Sequence, residues 1–307
     1  MRHNDSSTAG GQSDPSGRSL SRASWALGRS LSRLVRLRAT ASASALTVLG
    51  GHTGMQDITD SRLRSVIPAA FASFSMIAYA QIFNDVVDRK LDAIGKPERP
   101  IPSGQISVGM AWALALGAAV SALVSSATAG RAALLLVTFC LILGTAYSVV
   151  LKDTVLLGNT AVAVVSAGAL VLGGVAVHAL SAATWLGALL VFVYVLGNEL
   201  FKTALDARGD AQLGLRTIAT VGGLRATALV VSVCALILPC VLLAGYALGR
   251  LSLAFTGLGT VLVSAPIAVA TLKLHPWRRV EMEDFARAHT AWRTGWLSGL
   301  AVLLLLR

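Results

Sequence analysis

Long apolar runs separated by short polar stretches fill the chain from about residue 36 to its end. Each run is near the ~20 residues that a helix needs to cross a hydrocarbon layer. Nine are read, at 36–55, 63–83, 105–127, 130–150, 154–178, 182–204, 222–247, 251–272 and 286–306. The first is short and rich in small residues (ATASASALTVLGG), and Arg293 interrupts the last. Between the second and third runs, Lys96-Pro97-Glu98-Arg99-Pro100-Ile101-Pro102-Ser103-Gly104 carries three prolines, which cannot continue a helix, so an ordered turn is expected there. The pattern predicts an all-α membrane protein, a bundle of about nine transmembrane helices over 36–307. Residues 1–35 have no apolar run and are rich in Ser, Gly and Arg. They read as a disordered basic tail rather than a signal peptide, which would need an apolar h-region.

Composition narrows the class further. Charged residues make 13% of the 307, about half the globular share of roughly 25%, while hydrophobic residues reach 55% with a mean hydropathy of +0.70. A soluble core cannot absorb that much apolar surface. Cys140, Cys234 and Cys240 are odd in number and set in apolar runs, which excludes a disulfide scaffold, and no Cys/His spacing suggests zinc. The net charge of +11 raises the question of nucleic acid, but its distribution answers it. With the tail in the cytoplasm, 21 of the 26 Lys and Arg fall on that side, against Arg62, Arg64, Arg131, Arg250 and Arg307 on the other. This is the positive-inside asymmetry of a multi-pass protein of the cell membrane, with the bilayer and not nucleic acid as its partner.

Two acidic clusters carry the candidate chemistry. Near the end of the second run the chain reads Asn84-Asp85-Val86-Val87-Asp88-Arg89-Lys90-Leu91-Asp92, which on a continuous helix stacks Asn84, Asp88 and Asp92 at i, i+4 and i+8. About 120 residues later, Asp206 and Asp210 repeat the i, i+4 spacing, with Glu199 and Lys202 deeper in the sixth run. Both clusters are expected at the cytoplasmic face, suggesting two related halves. Stacked carboxylates repel and need a counterion. Oxygen ligands at this spacing suit Mg²⁺, which commonly bridges carboxylates to substrate phosphates. Asn84, Asp85, Asp88, Asp92, Asp206 and Asp210 are the expected ligands of Mg²⁺ holding a diphosphate, with Lys152, Lys202 and Arg89 offsetting its remaining charge. Ionisable groups at span ends are costly and mark function.

NDVVDRKLDAIGKPERPIPSG resembles the first aspartate-rich motif of the UbiA superfamily of intramembrane prenyltransferases, and DARGD with Gly214 and Thr217 resembles the second. Tyr147-Ser148-Val149-Val150-Leu151-Lys152, followed by Gly158-Asn159, is similar to the element between them. The resemblance covers about residues 30 to 306. It implies a nine-helix bundle with a central cavity capped by two cytoplasmic Asp-bearing loops, Asn84 and Asp88 on one Mg²⁺, and Asp206 and Asp210 on the other. It also places Arg89, Arg99 and Asn159 at the substrate. Many relatives carry Asp where this chain has Thr203, and Arg-Glu where it has Asn198-Glu199.

The chemistry so implied is transfer of a prenyl group from a diphosphate of C10 to C20 to an aromatic or polar-lipid acceptor. Lys152 and Lys202 stabilise the departing diphosphate, Tyr147 orients diphosphate or acceptor, and apolar walls keep water from the allylic carbocation. A terpene cyclase on the same scaffold is the alternative, and a transporter a weaker third, because transport needs no paired carboxylate motifs on one side. His178, His275-Pro276-Trp277-Arg278-Arg279 and the acidic group Glu281, Glu283 and Asp284 are expected at interfaces and in loops, outside the site. Gly168 to Gly174 is expected to permit close helix packing.

Overall fold

Apolar helices whose backbone groups pair internally are the one open-ended solution in lipid, and that is what forms. The computed structural model describes residues 25, 27–53, 62–274 and 280–306, and all of its regular structure is helical. The elements are α1 (Leu37–His52), α2 (Leu63–Val87), α3 (Arg89–Gly95), α4 (Val108–Thr128), α5 (Arg131–Val149), a 3₁₀ turn (Leu151–Asp153), α6 (Leu157–Ala176), α7 (Ala182–Gln212), α8 (Ile218–Val221), α9 (Gly223–Ala247), α10 (Leu253–Gly259), a π turn (Thr260–Ser264), α11 (Ala265–Leu272) and α12 (Met282–Leu303). Helix starts follow the capping residues: Ser107 accepts from Met110 N–H, Ser252 from Phe255 N–H, and Ser181 forms a capping box with Thr184.

Seven helices among the described residues are long and apolar enough to cross a membrane: α2, α4, α5, α6, α7, α9 and the α10–α11 rod. The first and last of the nine expected runs form α1 and α12, which fall short by length and by polarity respectively. Residues 1–24 of the expected tail and the His275–Arg279 segment lie outside the described residues. Residues 27–34, assigned to the tail from sequence, are instead helical, and Leu34 is fully buried.

Small residues set the spacing of the bundle. A Cβ on Gly173 would strike the Thr47 carbonyl, and one on Gly50 the Leu170 carbonyl, so α1 and α6 meet backbone to backbone. Thr47 donates to the Ala169 carbonyl at 2.8 Å and exchanges a hydrogen bond with Ser73 at 2.5 Å, tying α1, α6 and α2 together. On the other side, α7 packs between α6, α9 and α12, burying Phe201, Phe285 and Trp292.

The expected Asp-bearing loops are corrected. Asn84 and Asp85 ride the last turn of α2, Asp92 lies on α3, and α7 runs eight residues past its apolar stretch to carry Asp206 and Asp210. Ala, Leu, Arg and Gln there favour continued helix, which stops where Gly214 takes φ +72° and Leu215 N–H returns to the Asp210 carbonyl. A cavity of about 60 Å³, lined by Leu190, Tyr194, Phe255, Ser264 and Trp296 among others, sits in the second half of the bundle, away from the carboxylates.

Candidate active site

α2 ends at Asp88, whose N–H closes on the Asn84 carbonyl and whose φ of −83° and ψ of 0° turn the chain before α3 begins. The break divides the first cluster. Asn84 donates through Nδ2 to Asp88 Oδ2 at 2.9 Å, and the other Asp88 oxygen meets the Lys152 ammonium from the 3₁₀ turn. Burial pulls Lys152 below the ordinary lysine pKa, with the Asp153 carboxylate acting in the opposite sense.

The stacking expected on a continuous helix does not extend to Asp92, and Asp85 and Asp92 share partners of their own. Asp85, 3% exposed, accepts from Arg36 Nη2 at 2.7 Å and from Arg99 Nη1 at 3.2 Å; Arg99 Nη1 also reaches Asp92 Oδ2 at 2.5 Å. The physical reason is the break: Asp85 lies about 100° around α2 from Asn84, and α3 starts a new axis that points Asp92 at Arg99. Both carboxylates are thereby matched by guanidinium groups. Sequence spacing gives no signal for Arg36 as the partner of a carboxylate 49 positions away. Its left-handed backbone (φ +48°), between two helical segments, is rare for a residue other than glycine. Arg89 donates through Nη1 to the Val86 carbonyl at 3.0 Å.

In the second half, Lys202 Nζ pairs with Glu199 Oε1 at 2.5 Å one turn up α7. Thr203, where relatives often carry Asp, bonds Asn159 of α6: Asn159 Nδ2 lies 3.2 Å from its hydroxyl, and the same hydroxyl reaches the Glu199 carbonyl at 3.0 Å. Asn159 therefore positions α6 against α7.

The two clusters lie at the same end of the bundle. Lys96 Nζ stands 3.7 Å from Asp206 Oδ2, and Asp153 Oδ1 accepts from the Arg216 backbone N–H at 2.7 Å. Tyr147 lies on the last turn of α5, just before the 3₁₀ turn that carries Lys152.

Among the described residues no three Asp, Glu, His or Cys side chains converge as a ready metal cage. Mg²⁺ held through one or two carboxylates plus substrate phosphates needs none. Asn84 with Asp88, and Asp206 with Asp210, offer only hard oxygen donors, and each pair already has an ammonium, Lys152 or Lys96, against one carboxylate. The donor chemistry fits a hard divalent cation at both pairs.

Comparison with known proteins agrees with this arrangement. The UbiA prenyltransferase family model matches residues 44–305. A digeranylgeranylglyceryl phosphate synthase of Methanopyrus kandleri is 33% identical over 135 residues, 44% of this chain; the chain spans about half, 49%, of that relative's length. The enzyme of that name from Ignicoccus hospitalis is 32% identical over 252 residues, covering 76% of this chain and 79% of its own. The fold is shared with a UbiA homologue from Archaeoglobus fulgidus bound to GPP and Mg²⁺, with TM-score 0.65, 15% identity and coverage of 89% of this chain and 99% of that one. With acidic helix ends from both halves meeting at one end of a helical bundle, and the family model covering nearly all of it, the chain belongs to the UbiA prenyltransferase family.

Proposed function

We propose that the protein is a Mg²⁺-dependent prenyltransferase that moves a prenyl group from a prenyl diphosphate of C10 to C20 to the hydroxyl of a glyceryl phosphate lipid. The observation that carries this reading is the meeting of Asn84/Asp88 and Asp206/Asp210 at one end of the bundle, with Lys96 spanning from the first cluster to Asp206. The relatives' activity favours a glyceryl phosphate lipid over an aromatic acceptor.

Bound Mg²⁺ would neutralise diphosphate charge and polarise the bond to be broken. Asn84, Asp88, Asp206 and Asp210 would hold it. Lys152, which pairs with Asp88, would reach a phosphate oxygen, and Lys202 lies one turn from Asp206 on α7. Both stabilise negative charge that grows on the leaving oxygen, which is selective for the transition state. Tyr147, on the last turn of α5 before Lys152, orients the diphosphate or the acceptor. The acceptor oxygen then bonds to the allylic carbon as the C–O bond to diphosphate breaks, and its proton passes to a base or water. Apolar walls of the bundle delay capture of the cation by water. All nine runs cross the membrane in this reading, enclosing a central cavity, and the acidic ends face the cytoplasm.

The test incubates the purified chain with geranyl, farnesyl or geranylgeranyl diphosphate and Mg²⁺, with and without a monoprenyl glyceryl phosphate. Acceptor-dependent diphosphate release and a diether product are expected, both lost with EDTA. A cyclic hydrocarbon formed without acceptor would replace transfer by cyclisation, and no turnover under any condition would return the protein to transport.

A further inference from the structure

Asp153 has no part in the diphosphate site proposed above, yet it joins the two acidic ends. It closes the 3₁₀ turn that carries Lys152. A single 3₁₀ turn makes too few backbone hydrogen bonds to hold its own place, so its position is set by its surroundings. At one end, the Thr154 hydroxyl donates to the Leu151 carbonyl, and Gly158 N–H of α6 donates to the Thr154 hydroxyl at 3.2 Å. A Cβ on Gly158 would stand 2.8 Å from the Leu151 carbonyl oxygen, so α6 starts directly against the backbone of the turn. At the other end, Asp153 Oδ1 accepts from the Arg216 backbone N–H at 2.7 Å, 63 positions along the chain.

Arg216 belongs to the segment that follows α7, and its neighbours spend their donors within that segment. Leu215 N–H returns to the Asp210 carbonyl at 2.9 Å, and Thr217 N–H goes to the Thr220 hydroxyl at 2.8 Å. The Thr220 hydroxyl in turn donates to the Leu215 carbonyl at 2.7 Å. Between these two tied residues, Arg216 presents its N–H to the other half of the chain. A short path of hydrogen bonds and peptide links therefore runs from Asp210 through Leu215, Arg216, Asp153 and Lys152 to Asp88. It connects one carboxylate pair to the other through backbone at most steps. The Lys96–Asp206 contact, at 3.7 Å, rests instead on a flexible and half-exposed ammonium stem.

We propose that Asp153 is a positioning residue of the transferase site: by accepting the Arg216 N–H it sets where Lys152 stands relative to the Asp206/Asp210 pair. The inference rests on the transferase reading above and deepens it, naming the side chain that brings the Lys152 ammonium and the second carboxylate pair to one diphosphate. A carboxylate accepting from a backbone N–H makes a charge-assisted bond, stronger than a neutral one. Misplacing a reacting group by about 1 Å can cost on the order of 10²-fold in rate, so a contact remote from the bond being broken still governs turnover. The donor is backbone, so the side chain at residue 216 does not enter. The acceptor need only be a fixed oxygen, which an amide also supplies.

The experiment measures diphosphate release by the full chain in detergent, with geranylgeranyl diphosphate, Mg²⁺ and a monoprenyl glyceryl phosphate. Asp153→Ala is expected to lower kcat/KM for the prenyl diphosphate by about tenfold, with the acceptor KM within about twofold of wild type. Its melting temperature should stay within a few degrees, because the lost bond is exposed. Asp153→Asn keeps an acceptor oxygen and should recover to within about threefold of wild type, and Arg216→Ala, which keeps the N–H, to within about twofold. In the Lys152→Ala background, adding Asp153→Ala should change the rate by less than about twofold, since a positioning residue acts through the group it positions. A loss in Asp153→Asn as deep as in Asp153→Ala would make the negative charge itself the agent and overturn the positioning role. Losses that multiply in the double variant would reduce Asp153 to a general structural contact, and an equal loss in Arg216→Ala would transfer the effect to the guanidinium. Should Asp153→Ala not fold, Arg216→Pro removes the donor from the other partner and gives the same readout. The two readings fail differently: wild-type kinetics in Asp153→Ala sink the positioning role alone, whereas no diphosphate release by wild type with any acceptor sinks the transferase reading and the role with it.

Discussion

Six side chains read from spacing as one set of metal ligands divide into two kinds once each is followed to its partner. Asp88 and Asp206 are each ion-paired with a single ammonium group, Lys152 and Lys96, which a metal-bound substrate can displace. Asp85 is held by two guanidinium groups, each anchored in another segment. Asp88→Ala and Asp206→Ala are therefore expected to abolish diphosphate release while melting within a few degrees of wild type. Asp85→Ala strands Arg36 and leaves Arg99 with Asp92 alone. Breaking a buried pair costs ~3–5 kcal/mol, and the partial exposure of Arg36 reduces this to roughly 2 kcal/mol. Thermal or denaturant unfolding in detergent checks it. A stable Asp85→Ala protein whose activity returned at raised Mg²⁺ would restore Asp85 to the metal. Local spacing made the pairings of Asn84 with Asp88 and of Asp206 with Asp210 legible because each pair lies about one helical turn apart. Arg36 and Lys96 were not legible as partners, since their contacts are tertiary and no periodicity encodes them.

Helix positions were legible for a related reason: hydropathy must match the bilayer, and all nine runs fall on helical rods. Helix ends were not, because the chain continues helical beyond the lipid where backbone hydrogen bonds remain satisfied. The extension of α7 over residues 205–212 is the case with functional weight, since rigid helix, rather than loop, fixes Asp206 and Asp210 one turn apart. Proline at Ala207 would clash with the Thr203 carbonyl and remove the hydrogen bond to it, costing about 3 kcal/mol locally. Ala207→Pro should abolish turnover yet still insert and purify as a membrane protein, because the apolar length of α7 before residue 204 is untouched. Activity near wild type would mean that a flexible segment suffices. The α1–α6 contact gives the opposite outcome. Gly173→Val forces a side chain into the Thr47 carbonyl, so loss of folded protein on size exclusion is expected, with activity lost only in proportion.

Over the whole molecule, two halves of the chain bring their acidic helix ends to one end of the bundle, and contacts between residues 96 and 206 and between 153 and 216 fix that arrangement without reference to a membrane. The bilayer adds direction. Of 26 Lys and Arg, 21 fall on the side of the acidic ends if the nine runs all cross, and such a bias orients multi-pass proteins with that side inward. Ile94, 78% exposed on α3, and Leu213, at the end of α7, report on the two halves separately. After Cys140, Cys234 and Cys240 are replaced, Ile94→Cys and Leu213→Cys should each react with a membrane-impermeant maleimide in inverted vesicles and not in intact cells. Reaction of both from outside would reverse the orientation while leaving the shared site intact. Reaction from opposite faces would put a bilayer between Asp88 and Asp206, and no diphosphate could then touch both.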